Sequence, residues 1–171
     1  MSKNNQNNNG FSLVELIVVI AIGVILASAT AISISSVLGV AVKQCSRNIE
    51  SVLNKAKVST MGKDSVRVEL YKNDGAGNDG AYYYTVYVNG IESEKKKIGR
   101  SSLEITYSME QDYSSVKTLS GSEKITIEFD RSSGAEKANA DGKCCSRIWV
   151  KKGGTQKIIT IYKETGKIVN E

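Results

Sequence analysis

Hydrophobic and polar positions divide the chain into two stretches of different period. From Leu16 to Val42 there are 27 consecutive residues without a charged side chain, and a bilayer span needs ~20 residues at ~1.5 Å rise each. From Lys43 the pattern becomes one-sided. Cys45, Ile49, Val52, Leu53 and Ala56 fall at helical spacing, with Lys43, Arg47, Glu50, Lys55 and Lys57 mostly around the other faces. Together these patterns predict one long helix over residues 11–61, membrane-spanning at about 14–42 and amphipathic over 43–61, with Gly62 as its stop. Gly23, Ala27, Ala31, Ser35 and Gly39 recur every four residues within the apolar run. Such a stripe lets helices approach closely, although a segment rich in alanine, serine and glycine also produces it by chance.

Beyond Gly62 the period shifts from helix to strand. Val66, Val68 and Leu70 alternate with Arg67, Glu69 and Tyr71, and Tyr82, Tyr84, Val86 and Val88 alternate with Tyr83, Thr85 and Tyr87. The glycine-, asparagine- and aspartate-rich stretch 73–80 joins these two predicted strands, and Asn89-Gly90 is a strong hairpin signal. Further alternating runs lie at Leu103 to Met109, Ile125 to Phe129, Ile148 to Val150 and Ile158 to Tyr162. The expected class is α+β: a long N-terminal helix, its first half membrane-spanning, packed against an antiparallel β-sheet head over residues 62–171.

Composition narrows the chemistry. The 171 residues include no histidine and no proline and carry a formal net charge of +5. Without histidine there is no Ser-His or Cys-His pair, and no P-loop, dinucleotide fingerprint or metal constellation is present in the sequence, so neither an enzyme nor a cofactor is expected. The charge permits an anionic partner such as DNA or a cell surface without demanding one. Tyr82, Tyr83, Tyr84 and Tyr87 with Lys95, Lys96 and Lys97 have the residue types that stack on and neutralise single-stranded DNA; the plainer reading is strand packing beside a solvated edge. Three cysteines allow a bridge from Cys45 to Cys144 or Cys145 outside the membrane, stapling helix to sheet, with buried free thiols as the alternative.

One acid interrupts the apolar N-terminal region. Glu15 stands just ahead of the uncharged run, and a carboxylate costs on the order of 2.5–3.5 kcal/mol at the centre of a membrane helix, so it calls for a cation. Gly10-Phe11-Ser12-Leu13-Val14-Glu15 at the head of such a helix resembles the prepilin signature of type IV pilins and type II secretion pseudopilins. The resemblance implies that residues 1–10 are a leader and that a prepilin peptidase cuts between Gly10 and Phe11 and methylates the new amine of Phe11. It also implies that Glu15 pairs with the N-terminal amine of a neighbouring subunit during assembly. Physically, that amine and Glu15 would cancel inside hydrocarbon, where an ion pair is screened far less than in water.

The partners so implied are other pilin subunits, the peptidase, an assembly platform protein and its ATPase, and the membrane. The expected location is a single-pass cell-membrane protein with a cytoplasmic N-terminus, then an extracellular filament on the cell surface. An ordinary signal peptide competes, because Ala27-Ser28-Ala29 offers a small-x-small cleavage pattern, as does a plain single-span anchor. The positive-inside rule runs against the implied orientation: the leader holds Lys3, whereas Lys43 and Arg47 flank the other end.

A narrower resemblance joins Ile49 to Lys57 running into Val66 to Leu70, then Ile127-Glu128-Phe129, Gly134, Ile158 to Ile161 and Thr165-Gly166-Lys167-Ile168-Val169. This pattern looks like the H-type minor pseudopilins, with Lys57 where an arginine is usual, and implies a scarce subunit that primes or caps a filament. The alternatives are the major pilin or a filament-delivered binding module for DNA uptake or surface adhesion. Major pseudopilins bind calcium in a loop, and Asp74, Asn78 and Asp79 offer oxygens in one here, but the EF-hand spacing is absent and a solvated turn is the plainer reading.

Overall fold

A computed structural model describes residues 12–62, 64–109, 115–121 and 123–171, with the side chains of residues 28–38 outside the description. Helix α1 runs Leu13–Met61. The chain divides after Val37 into two compact units. In the first, the described apolar side chains from Leu13 to Leu26 are open to solvent, from Val18 at 49% to Leu13 at 74%. Among the described residues no helix is long and apolar enough to cross a membrane.

The second unit, Leu38–Glu171, is an α+β head. Its part of α1 buries the face read from the sequence, Cys45, Ile49, Val52, Leu53 and Ala56, in one core cluster with the strands, and with it Val42, which the sequence placed at the end of the span. The helix ends where Gly62 follows Met61, the Gly62 amide donating to the Val58 and Ser59 carbonyls at 3.1 Å each.

Among the described residues nine strands make two antiparallel sheets. In the first, β1 (Val66–Lys72) lies between β2 (Tyr82–Val88) and β6 (Lys124–Glu128), and β3 (Ile91–Gly99) forms the outer edge beside β2. The Asn89-Gly90 turn joining β2 to β3 has φ of 52° and 84°, the two positive values a tight two-residue hairpin requires. In the second sheet the order is β5 (Val116–Thr118), β4 (Glu104–Ser108), β7 (Arg147–Lys152), β8 (Thr155–Tyr162) and β9 (Lys167–Asn170). Their inward side chains, Val68, Leu70, Ile125 and Ile127 from the first sheet and Ile105, Ile148, Val150 and Ile159 from the second, meet the helix in the core.

Two features depart from the alternation read along the chain. The strands form two sheets, because β1 pairs with β6 and β4 with β7 across long sequence separations. Three strands also lie outside the predicted runs: β3, β5 and β9. β3 has Ile98 and Gly99 buried at one end and a charged, exposed middle, and register shifts against β2 break its alternation.

Candidate functional site

Gly10 and Phe11 lie outside the described residues, and Glu15 lies within them at the first turn of α1. There it forms a reciprocal pair with Ser12: the Glu15 amide donates to Ser12 Oγ at 3.2 Å, and the Ser12 amide donates to Glu15 Oε2 at 3.3 Å. The Leu16 amide closes the first turn on the Ser12 carbonyl at 3.2 Å. This is a capping box, Ser-x-x-Glu, which satisfies two helix-terminal amides that would otherwise lack partners. The Ser12 to Glu15 spacing was readable in the sequence as a helix start, a signal overshadowed there by the charge of Glu15. The carboxylate is thereby held at the lip of an exposed apolar surface, Leu13, Val14, Leu16 and Ile17 all being more than half exposed.

At the other end of α1, segments far apart in sequence converge. Lys57 Nζ donates to the Thr165 carbonyl at 2.7 Å, and the turn at Gly134 lies against the Lys57 stem and Met61. Gly134 in turn abuts Gly166, beside the buried Phe129 ring. Five of the residues that carry the narrower resemblance, Lys57, Phe129, Gly134, Thr165 and Gly166, therefore form one contact cluster. It clasps the helix end between the extension of β6 and the turn before β9.

Cys45, Cys144 and Cys145 are all free thiols, and all are buried. Cys45 lies against Gly99 at the end of β3, where burial pushes its thiol up to about 12. The Cys144 thiol donates to the Glu136 carbonyl at 3.7 Å, and the Cys145 amide donates to Glu136 Oε1 at 2.6 Å. Burial raises both of these thiols as well. Thiolates are the reactive species, so a thiol reagent is expected to find almost none of the three in the native chain and all three after denaturation. Recovery of a single thiol in denaturant without reductant would instead establish a bridge of the kind weighed above.

Of the four strand tyrosines, Tyr82 and Tyr84 are buried in the core, while Tyr83 and Tyr87 are only partly covered. On the same face Tyr71 stacks with Tyr83 at 6.1 Å between ring centroids. Lys95 Nζ stands 5.7 Å from the Tyr71 centroid and 5.9 Å from that of Tyr83, and the Arg67 guanidinium lies 4.5 Å from that of Tyr87. Lys124 joins Tyr71 at 5.7 Å and pairs with the buried Glu69 at 3.0 Å. Cations thus already occupy these ring faces.

In the 73–80 loop two of the three candidate calcium ligands, Asp74 and Asp79, have separate protein partners. Asp74 Oδ2 accepts the Gly121 amide at 2.9 Å. Asp79 accepts Lys97 at 2.7 Å, the Ala81 amide at 3.1 Å and the Tyr83 hydroxyl at 2.9 Å. The Lys97 bond, foremost, holds the Asp79 carboxyl well below the usual carboxylate range.

No curated protein and no solved structure matches the chain. A family model described as the prokaryotic N-terminal methylation motif matches residues 5–31, a stretch that contains Gly10, Phe11 and the Ser12 to Glu15 box. The chain therefore carries the prepilin signature of type IV pilins and pseudopilins at its N-terminus.

Proposed function

We propose that the chain is a prepilin and a minor subunit of a type IV pilus or a type II secretion-like pseudopilus. It inserts through the apolar run that begins near residue 14 and stops short of Val42, which is buried in the head, is cleaved between Gly10 and Phe11, is methylated on Phe11 and joins a filament by helix packing. The observation that carries this reading is the methylation motif set directly on a helix whose apolar side chains from Leu13 to Leu26 are open to solvent. Fully burying a Leu, Ile or Val side chain is worth about 1.5–3 kcal/mol, so such a surface calls for lipid first and neighbouring helices afterwards. The platform protein, the ATPase and the peptidase supply the processing and the work.

The test is quantitative mass spectrometry of a sheared-filament fraction. A methylated Phe11 peptide at a small fraction of the dominant pilin supports the minor role, and the same peptide as the dominant species makes this the major subunit. An end beginning at Met1 or near Thr30 discards the reading. Glu15→Ala is expected to leave processing intact and abolish incorporation, because the neighbour's amine then stays unpaired in hydrocarbon; Glu15→Gln, which keeps an oxygen for the Ser12 amide, separates loss of charge from loss of the cap. Normal incorporation of both variants would sink the ion-pair argument.

A second reading, in which the filament delivers the head as a DNA- or surface-binding module, draws on the cations over Tyr71, Tyr83 and Tyr87. Because those rings are covered, phosphate contact fits this face better than base stacking.

A further inference from the structure

The end of the head at which its helix begins is basic. Ala41, Gln44 and Asn48 of α1 form a cleft of about 250 Å³ with the segment from Lys97 to Leu103, and Lys97 and Arg100 supply its charge. Lys43 and Arg47 are exposed on the same two helical turns. The turn between β7 and β8 brings a further cation, Lys152 Nζ donating to Ser102 Oγ at 2.8 Å. Acids at this end are partly engaged: Asp79 pairs with Lys97 at 2.7 Å, and Glu104 stands in register with Lys151 across the sheet. Among the described residues no carboxylate lies within 4.0 Å of the charged groups of Lys43, Arg47, Arg100 or Lys152.

These four cations sit where the apolar run stops. Val42 is the last residue of the uncharged stretch and is buried in the head, Val40 two residues earlier is 63% exposed, and Lys43 follows directly. Two of them, Lys43 and Arg47, are also the charges that the positive-inside rule leaves unexplained, since they flank the end of the span opposite the leader. A surface of phosphate headgroups accounts for both facts: it is anionic, it lies at the depth where the apolar run ends, and lysine and arginine are the side chains that neutralise phosphate.

We infer that the head docks this basic end, Lys43, Arg47, Arg100 and Lys152, onto anionic phospholipid headgroups of the membrane its helix enters. The inference rests on the membrane-inserted reading above. Docking fixes the tilt of the head over the bilayer before assembly, and it is given up when the subunit rises into a filament. Each cation held at an anionic surface strengthens the docked state roughly fivefold at low ionic strength, an advantage that salt screens away.

The test uses the full chain reconstituted in nanodiscs of phosphatidylcholine alone or of equal parts phosphatidylcholine and phosphatidylglycerol. A fluorophore is placed at Ser101→Cys, an exposed position beside the cleft that labels selectively because the native thiols are buried, and a nitroxide on the lipid headgroup quenches it. Quenching is expected to be strong with phosphatidylglycerol, weak without it, reduced by added salt, and lost in an Arg47→Gln, Arg100→Gln, Lys152→Gln variant whose circular dichroism is unchanged. Equal quenching in both membranes, or full quenching in that variant, overturns docking while leaving insertion standing. Failure of the chain to stay with the nanodisc on size exclusion overturns the membrane reading and docking with it.

Discussion

Alanine at Gly166 is expected to destabilise the head by at least about 3 kcal/mol. Gly166 has a φ of +56°, a left-handed conformation that costs a residue with a Cβ roughly 1–2 kcal/mol. The larger part comes from space. A Cβ there would overlap the Gly134 carbonyl oxygen and approach Phe129 Cδ1 at 3.1 Å, and neither neighbour yields freely. Gly134 is itself at φ +68° and lies against the Lys57 stem, while Phe129 is 1% exposed. Moving the turn away would stretch the bond from the Gly166 amide to the Tyr162 carbonyl, now 2.7 Å, or that from Lys57 to Thr165. Each such bond is worth about 1 kcal/mol net, with a further penalty for any group left buried and unpaired.

Gly142→Ala is the matched control. That glycine has φ +75° but nothing within 4 Å of a new Cβ, so only the backbone strain of about 1 kcal/mol applies. Urea unfolding followed by the fluorescence of the single tryptophan, Trp149, compares the two. Equal losses would mean that the clasp around Gly166 relaxes without cost and that it does not hold the helix end. A much larger loss at Gly166 ties the fold of the head to the one place where helix, β6 extension and C-terminal turn meet.

The reach of the sequence differs between these regions for physical reasons. The long helix was legible because an uncharged run and a one-sided run follow each other without a breaker, and the β2–β3 turn because Asn-Gly supplies two positive φ values cheaply. β3 was hidden by its own chemistry: Glu92 to Lys97 reads as a solvated stretch, and an edge strand with bulges is where charged residues are tolerated. The split into two sheets follows from β1 with β6 and β4 with β7, pairings that no local pattern encodes. At the candidate site Glu15 was found from its cost in an apolar segment, whereas its Ser12 partner follows from capping geometry. The loose C-terminal pattern with Lys57, Gly134 and Gly166 became intelligible once the chain had folded these residues against one another.

Glu136 was not legible at all, being one acid in the polar stretch between Ser132 and Lys143, yet it governs the second large effect. Replacing it by glutamine is expected to stabilise the head at alkaline pH by about 2–3 kcal/mol and to change little near pH 4.5. The carboxyl is 5% exposed. It sits where the Phe129 to Glu136 bridge, the Lys163 carbonyl and the Cys144-Cys145 segment meet, its own amide donating to Lys163 at 2.9 Å. Oε1 accepts the Cys145 amide, and Oε2 is buried with no hydrogen-bond partner among the described residues. Burial therefore pushes the acid up to about 7 from an ordinary 4.5, against the opposing pull of the Cys145 amide and the Lys163 charge. Between those two values the folded chain holds a proton that the unfolded chain has released, so stability falls as pH rises through the window and levels off above about 7. At ~1.4 kcal/mol per pH unit the full fall is roughly 3 kcal/mol. Glutamine keeps an oxygen for Cys145 and carries no charge at any pH, so its urea midpoint should stay flat where that of the parent declines. The two curves should meet near pH 4.5 and separate progressively to pH 8, with unchanged m-values. A constant offset between them, or a parent curve that rises with pH, would mean that the carboxylate is charged and satisfied inside the fold. The decline instead makes the joint between the two sheets looser in an alkaline exterior than in a mildly acidic one.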